Sequence, residues 1–452
     1  MTIVSDPVAN EYGPVFAAYR GHGKLRGKNE DEAPCTFSAF QLRDGKVIVL
    51  TKVTNFENHW VSTINAVDSL TGTTAAGQAL SARGLLETSY LPSLTHEEAG
   101  IYGAYHCREL IVRSADASGV APHSSRFELT NLTLETARRL TIVHPSATGH
   151  VQILDEHRDR IKRLKALRTI DVTAALVIRE PELSEHHLVA DDVCRVLSLA
   201  CGTTVQWIAR TDCSKSGTVL QQYHGSHVTK PLCPLPLIDP RVEEDIPRFV
   251  EVALPAYVTR KSKWDLARCI LAFLDARAEA DFLETRGVKL AVVMEMLKNS
   301  LLTAENVAEF VRPEPEFAGL RPALKNAIGA VFSQHGWQES ERAIAYANLQ
   351  SLNRVPFYDH LTALCERLEL SLSPADLQLF VRCRNSLVHR GRFYCQTADD
   401  DARRNCQPHA SPPAEYFWLL HVMDRLFLRL VDYRGPLIDW SEVGAPKRRD
   451  SF

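Results

Sequence analysis

The chain has few of the features that mark secreted or membrane proteins. Its eleven cysteines stand singly, without a C-x-x-C pair, and an odd number does not suit a disulfide framework. The longest apolar runs, "TAALVI" and "LAVVM", are far shorter than the ~20 residues that span a membrane. The first residues, "MTIVSDPVANEYG", lack the basic and apolar segments of a signal peptide. We therefore expect a soluble cytoplasmic protein with reduced thiols and no membrane partner.

Signatures of cofactor and metal chemistry are also missing. The sequence has no P-loop, no G-x-S-x-G and no H-E-x-x-H. Four scattered residues are of zinc-ligand type: Cys213, His224, His227 and Cys233. Neither cysteine has a close cysteine partner, so this is not standard zinc spacing. The formal net charge of −3 argues against a whole-surface polyanion binder and leaves room only for a local basic patch. We expect no cofactor and no metal.

The first half of the chain has strand-like patterning. An Asp-Gly step in "RDG" separates two runs of strand character, which indicates a hairpin. Short strand-like runs recur with Gly, Asn, Asp or Pro between many of them, and one helix interrupts them at "HLVADDVCRVLSLACG". This spacing predicts an antiparallel sandwich or open barrel.

A proline-rich stretch follows and separates this half from a helical one. Prolines recur from Pro231 to Pro255, which predicts a linker or an irregular edge because proline disfavours both the hydrogen-bond ladder of a sheet and the α-helix. Apolar residues then recur at helical spacing, including over "TAENVAEFVR", and predict a bundle of about seven or eight helices. We therefore expect an α+β protein with a β-rich domain over residues 1–240 and an all-α domain over residues 241–452.

One predicted helix carries unusual polar residues in "FVRCRNSLVHRG". Ser373, Pro374 and Asp376 are typical of a helix start, and Gly391 is typical of a helix end. At about 100° per residue, one face collects five apolar residues: Leu377, Phe380, Val381, Leu387 and Val388.

Arg384 falls in the middle of that apolar face, with Asn385 on its flank and His389 in the last turn. A buried arginine is costly unless its charge is paired or reaches an interface. A structural ion pair is one explanation, with Glu284 or Glu295 of an earlier helix as a partner. A functional site at the helix end is the other.

"RNSLVH" resembles the R-x4-6-H signature of HEPN domains, which are all-α nucleotide-binding and ribonuclease domains of bacterial defence and toxin systems. "RCRNSLVHRGRF", "FLETRGVKLAVVMEML" and "LFLRLVDYRGPLIDW" look more narrowly like the HEPN domain of ApeA-like anti-phage proteins. The β-rich half, with "HGKLRGK" and "FELTNL", is similar to the domain that precedes it in those proteins.

The resemblance implies a bacterial abortive-infection endoribonuclease that needs no metal. Arg384, Asn385 and His389 would be its catalytic residues, and a homodimer would join two such helices in one cleft. Arg382, Arg390 and Arg392 would grip the RNA backbone, unless they only complement the helix dipole. The N-terminal domain would regulate the enzyme or sense a phage-derived trigger. Two alternatives stay open: a HEPN module that binds nucleotide or RNA without cutting it, and a structural helical scaffold.

Overall fold

The architecture is taken from a computed structural model, which describes residues 12–28, 31–53, 67–92, 101–117, 120–135, 139–167, 169–180, 185–225, 233, 235–278, 281–398, 409–441 and 446–450. By contacts between Cα atoms, the chain forms two compact units. The first spans Met1–Val258, with Gly435–Ile438 and Arg448–Ser451 added from the C-terminal end. The second spans Thr259–Arg434 and Asp439–Lys447.

The first unit is built mainly from antiparallel strands. In chain order, its strands are β1 Val15–Gly27, β2 Glu32–Leu42, β3 Val47–Val53, β4 Val67–Thr74, β5 Ala79–Pro92, β6 Ile101–Arg113, β7 Ser124–Thr130, β8 Arg139–His144, β9 Ala147–Ile153, β10 Val172–Ile178, β11 Gln206–Cys213 and β12 Val219–Gly225. Its helices are α1 His157–Leu167, α2 His186–Cys201 and most of α3 Asp245–Arg260.

The first six strands form a closed barrel. They follow the order β3-β2-β1-β4-β5-β6, and β3 pairs with β6 to close it. The predicted hairpin at "RDG" is confirmed, since β2 and β3 pair from Gln41↔Val47 onwards and Gly45 has a φ of 90°. Alternation along β2 sends every second side chain inward, where Cys35 and Phe37 join the barrel core.

The sheet continues beyond the barrel because β6 is long enough to serve two partners. Its first residues pair with β3, and Glu109–Arg113 pair with β12. From there the order runs β12-β11-β7-β10-β9-β8. Helix α2 packs against β7 and β11, and α1 packs against β10.

Helix α3 replaces the linker that the prolines predict. The expectation of an irregular stretch up to Pro255 is wrong over α3, because Pro247 lies in the first turn, where its missing N–H costs little. Pro255 lies inside the helix, and α3 buries an apolar face that outweighs its cost. That face has helical spacing: Ile246, Phe249, Val250, Ala253, Leu254 and Tyr257.

The second unit is helical. Its helices are α4 Leu266–Arg277, α5 Leu283–Glu305, α6 Glu314–Gln334, α7 Glu339–Ala347, α8 Phe357–Arg367, α9 Pro374–Arg390, α10 Tyr394–Thr397 and α11 Pro412–Leu430. A 3-10 helix, Asn348–Asn353, follows α7, and two short strands, β13 Leu437–Asp439 and β14 Lys447–Arg449, lie near the C-terminal end. The prediction of an α+β chain with a helical second half is therefore confirmed, although the barrel is closed rather than open.

Helix α5 is the centre of this unit. It contacts α4, α8, α9 and α11, and it buries Leu290, Met294, Leu297 and Leu301 along one face. The helix predicted over "TAENVAEFVR" does not form: Asn306 takes a left-handed φ of 52° and ends α5. Phe310 then pairs with Arg354 as an extended bridge. Among the described residues, no helix is long and apolar enough to cross a membrane.

Candidate functional site around the α9 helix

Helix α9 begins and ends where its sequence predicts. The Ser373 hydroxyl accepts the Asp376 N–H at 3.1 Å, and the Asp376 carboxylate accepts the Ser373 N–H at 3.3 Å, which together form a capping box. Gly391 ends the helix with a left-handed φ of 64°, and its N–H donates to the Leu387 carbonyl. These caps set the position of His389 in the last turn.

The buried face of α9 differs in part from the predicted apolar face. Leu377, Phe380 and Leu387 are buried as expected, and Cys383 joins them. Val388 is 42% exposed, although the helical wheel predicts that it packs. Arg384 lies at the border of the buried face rather than in its middle, with 15% of its side chain exposed.

The backbones of α9 and α5 come close together at a glycine. A Cβ atom at Gly287 would lie 2.8 Å from the Leu387 Cδ2 atom and 2.9 Å from the Phe393 ring. A larger side chain would hold α9 away from α5. About two turns further along α5, Glu295 is close enough to reach Arg384.

Three neighbours hold the Arg384 guanidinium. Its Nη2 donates to Glu295 Oε1, and its Nη1 donates to Asn385 Oδ1 at 2.7 Å. The guanidinium carbon lies 4.9 Å from the centre of the Phe357 ring, on α8. Its Nε is buried and has no hydrogen-bond acceptor within the described residues. Arg384 is therefore held in one orientation by residues of three helices.

Two cations share one carboxylate at this cluster. Lys298 Nζ lies 2.9 Å from Glu295 Oε2, so Glu295 pairs with both Lys298 and Arg384. The α9 motif alone does not predict that Lys298 or Phe357 belongs to the cluster. The i,i+3 spacing of Glu295 and Lys298 on α5 is the sequence signal that predicts their contact.

Three of the remaining predicted residues lie at the C-terminal end of α9. His389 is exposed and makes no hydrogen bond to the described residues. Arg390 Nη1 donates to the Thr397 carbonyl at 3.4 Å, and Arg392 is exposed just beyond the helix. Arg382 is half-buried and lies near the middle of α9, two residues before Arg384. The chain thus presents a basic, exposed surface around its single motif histidine.

The segment after α9 is attached to the core. The carboxylate of Glu415, fully buried on α11, accepts the backbone N–H groups of Tyr394 and Cys395 at 2.8 Å each. The Ser386 and Thr397 hydroxyls lie 2.8 Å apart. Both ends of the turn beyond His389 are therefore tied to packed helices.

The scattered zinc-ligand residues give no metal centre in the part of the chain that is described. No group of three or more His, Cys, Asp or Glu side chains gathers there, and His227 lies outside the described residues. The ten cysteines in the described ranges form no disulfide with one another. Comparisons of the chain with protein-family models, with curated proteins and with solved structures find no match.

Proposed function

We propose that the chain is a metal-independent endoribonuclease with Arg384, Asn385 and His389 as its active-site core. The observation that carries this proposal is the fixed orientation of the Arg384 guanidinium, which Glu295 of α5 and Asn385 of α9 hold by hydrogen bonds. Arg384 lies on α9, the helix whose last turn carries the exposed His389. An arginine fork of fixed orientation suits a phosphate, and an exposed histidine can exchange protons with a substrate.

The reaction that these residue types support is an internal transesterification of RNA. A base takes the proton of a ribose 2′-hydroxyl, and the 2′-oxygen attacks the adjacent phosphorus. The bond from phosphorus to the 5′-oxygen breaks, and an acid gives that oxygen a proton. The products are a 2′,3′-cyclic phosphate and a 5′-hydroxyl. The required 2′-hydroxyl makes RNA the substrate and excludes DNA.

Each residue of the proposed active-site core has a part in this reaction. His389 serves as base or acid, since an imidazole exchanges protons near neutral pH. Arg384 stabilises the charge that builds on the phosphoryl oxygens, and Asn385 orients it through the 2.7 Å hydrogen bond.

One copy of the chain supplies only one motif histidine, whereas the reaction needs both an acid and a base. We propose a homodimer in which two α9 helices face each other across a two-fold axis. Val388, 42% exposed beside His389, would lie in this interface. Arg382, Arg390 and Arg392 would then bind the RNA backbone on either side.

The biological role that we propose is anti-phage defence of the abortive-infection type. It rests on the resemblance of the α9 motif and its flanking segments to ApeA-like HEPN proteins. In this role, cleavage of host or phage RNA stops growth, and the first unit responds to a phage-derived trigger or keeps the enzyme inactive.

Cleavage of cellular RNA in the presence of a chelator tests the activity. We expect His389→Ala to lower the rate by about 100-fold or more, as for loss of a general acid–base group. His335→Ala is the matched control, because His335 is also an exposed histidine at the end of a helix, α6. Equal rates for His389→Ala and wild type would contradict the assignment.

A non-catalytic binding module is the second candidate, since one copy of the chain has an arginine and a histidine that can hold RNA but only one of the two proton-transfer groups that cleavage needs. In this case the wild-type chain binds RNA, Arg384→Ala weakens binding, and no cleavage is seen.

The Arg384–Glu295 ion pair favours a third candidate, a purely structural role, because Glu295 already neutralises part of the guanidinium charge that a phosphate would use. In this case Arg384→Ala lowers the melting temperature, and neither binding nor cleavage of RNA occurs.

A further inference from the structure

A cavity lies in the first unit, away from the α9 helix. It has a volume of about 420 Å³ and is lined by the β2–β3 turn, the last turns of α1, the segment before β10 and the residues before β1. This volume is within the range of small-molecule sites. None of these residues takes part in the proposed ribonuclease, so the site stands independently of that proposal.

Two arginines at the cavity share one carboxylate. Arg43 Nη1 and Arg160 Nη1 each lie 3.5 Å from an oxygen of Asp171, which is long for a charged hydrogen bond. Arg163, one turn after Arg160 on α1, is exposed at the same cavity. The other lining acid, Asp44, lies 3.0 Å from Lys46 Nζ. The lining therefore has more positive than negative charge.

Arg160 is also incompletely hydrogen-bonded. Its Nη1 donates to the Val172 carbonyl at 3.1 Å, and its side chain is only 19% exposed. Its Nε is buried and has no acceptor within the described residues. Because this Nε is also closed to solvent, it cannot receive an acceptor from the cavity, and Arg160 contributes charge to the lining rather than a vacant donor.

Apolar surface lines the rest of the cavity. The Tyr12 ring is 41% exposed and lies 5.7 Å from the Phe40 ring. Leu167, at the end of α1, is 67% exposed, and Leu164 is buried beneath the lining. An occupant that covered Tyr12 and Leu167 would bury apolar area, so the surface suits a flat or apolar group.

We propose that this cavity binds an organic phosphate of nucleotide size. The phosphate would contact Arg163 and compete with Asp171 for Arg43 and Arg160, whose 3.5 Å contacts with that carboxylate are long. The base or other apolar body would lie against Tyr12 and Leu167. Ligand binding would then link the β2–β3 turn to α1 within the first unit.

Calorimetric titration of the full-length chain with AMP, adenosine and inorganic phosphate tests this proposal. AMP should bind more tightly than either of its parts. Arg163→Glu should lower the affinity for AMP by about tenfold or more, because it removes one charged contact with the phosphate and adds a carboxylate that repels it. Arg158→Glu is the matched control: Arg158 is an exposed arginine of the same helix that does not line the cavity, and it should leave AMP affinity unchanged.

Three results would overturn the proposal. Absence of saturable AMP binding would remove the site. If Arg158→Glu and Arg163→Glu weakened AMP binding equally, the binding would come from the general charge of the surface and not from this cavity. If inorganic phosphate bound as tightly as AMP, the cavity would be an anion site that does not recognise the nucleoside. AMP binding by the Arg384→Ala, His389→Ala double variant should be unchanged, which separates this cavity from the α9 cluster.

Discussion

His224 is a buried ring within a hydrogen-bonded group of the first unit. Its Nδ1 lies 2.8 Å from Gln41 Oε1, and its Nε2 lies 2.7 Å from the Tyr19 hydroxyl. The Gln41 amide nitrogen donates to the Ile208 and Gly225 carbonyls, so Gln41 Oε1 accepts from the ring. A neutral His224 therefore donates through Nδ1, and its Nε2 is an acceptor for the Tyr19 hydroxyl proton, which Gln222 Oε1 at 3.1 Å from the Tyr19 oxygen also attracts.

Burial lowers the pKa of His224 from 6.5 to about 4, because the ring loses the solvation of its charged form. Between these values the unfolded chain binds a proton that the folded chain does not. The free energy of unfolding should therefore fall as pH drops from about 6.5 towards 4, by on the order of 3 kcal/mol from this residue. Urea unfolding at pH 7 and pH 4.5 measures the fall.

The variants His224→Gln and His106→Gln separate this effect from general acid sensitivity. His224→Gln removes the titrating group, so the unfolding free energy of this variant should lack most of the pH dependence that His224 contributes. His106 is exposed on β6, so His106→Gln should keep the wild-type dependence. A wild-type dependence that survives His224→Gln would show that another group causes it.

At the scale of elements, the approach of α5 to α9 depends on Gly287. An alanine there would place its Cβ 2.8 Å from Leu387 and 2.9 Å from Phe393, which is closer than packed atoms come. We expect Gly287→Ala to lower the unfolding free energy by about 1–3 kcal/mol through overpacking. Thermal or chemical unfolding of the second unit measures this loss.

Gly319 on α6 provides the opposite case. A Cβ there meets no atom within 4 Å, so alanine gains helix propensity without a clash. Gly319→Ala should raise the unfolding free energy by up to about 1 kcal/mol. If Gly287→Ala were equally stabilising, α5 and α9 would not pack as closely as the structure has them.

The elements also show where sequence patterns predict structure and where they do not. Local signals were sufficient for α9, whose capping residues and C-terminal glycine lie within the helix and its two ends. Local signals were wrong for α3, because its prolines alone predict an irregular segment. The helix forms because Phe249 and Leu254 are buried in the tertiary core, which a local pattern does not include.

The candidate site follows the same division. Arg384, Asn385 and His389 are adjacent on one helix and can be selected from the sequence. Glu295 comes from a helix far away in the chain, and only the approach at Gly287 brings it to Arg384. The wheel predicts that Val388 packs because it treats every apolar residue as buried, whereas folding leaves it exposed.

At the scale of the whole chain, the C-terminal end returns to the first unit. Leu437 and Ile438 are buried, and the Ile438 N–H donates to the Leu237 carbonyl at 2.8 Å, within that unit. A single domain boundary placed from composition divides the chain into two continuous pieces. Such a division cannot place a C-terminal segment in the first unit. Experiments on the proposed site therefore need the full chain rather than a C-terminal fragment.

The proposed homodimer makes a prediction for the assembled molecule. Val388→Asp places a charge on an exposed apolar position beside His389, so it should leave the fold of one copy intact and destabilise a two-fold contact there. We expect sedimentation to show a shift from dimer to monomer, with loss of RNA cleavage. Val143→Asp, at a 65%-exposed valine on β8, is the control and should change neither property. A Val388→Asp chain that stays dimeric and cuts RNA at the wild-type rate would place the dimer contact away from α9, and the acid–base pair would then have to come from a single copy.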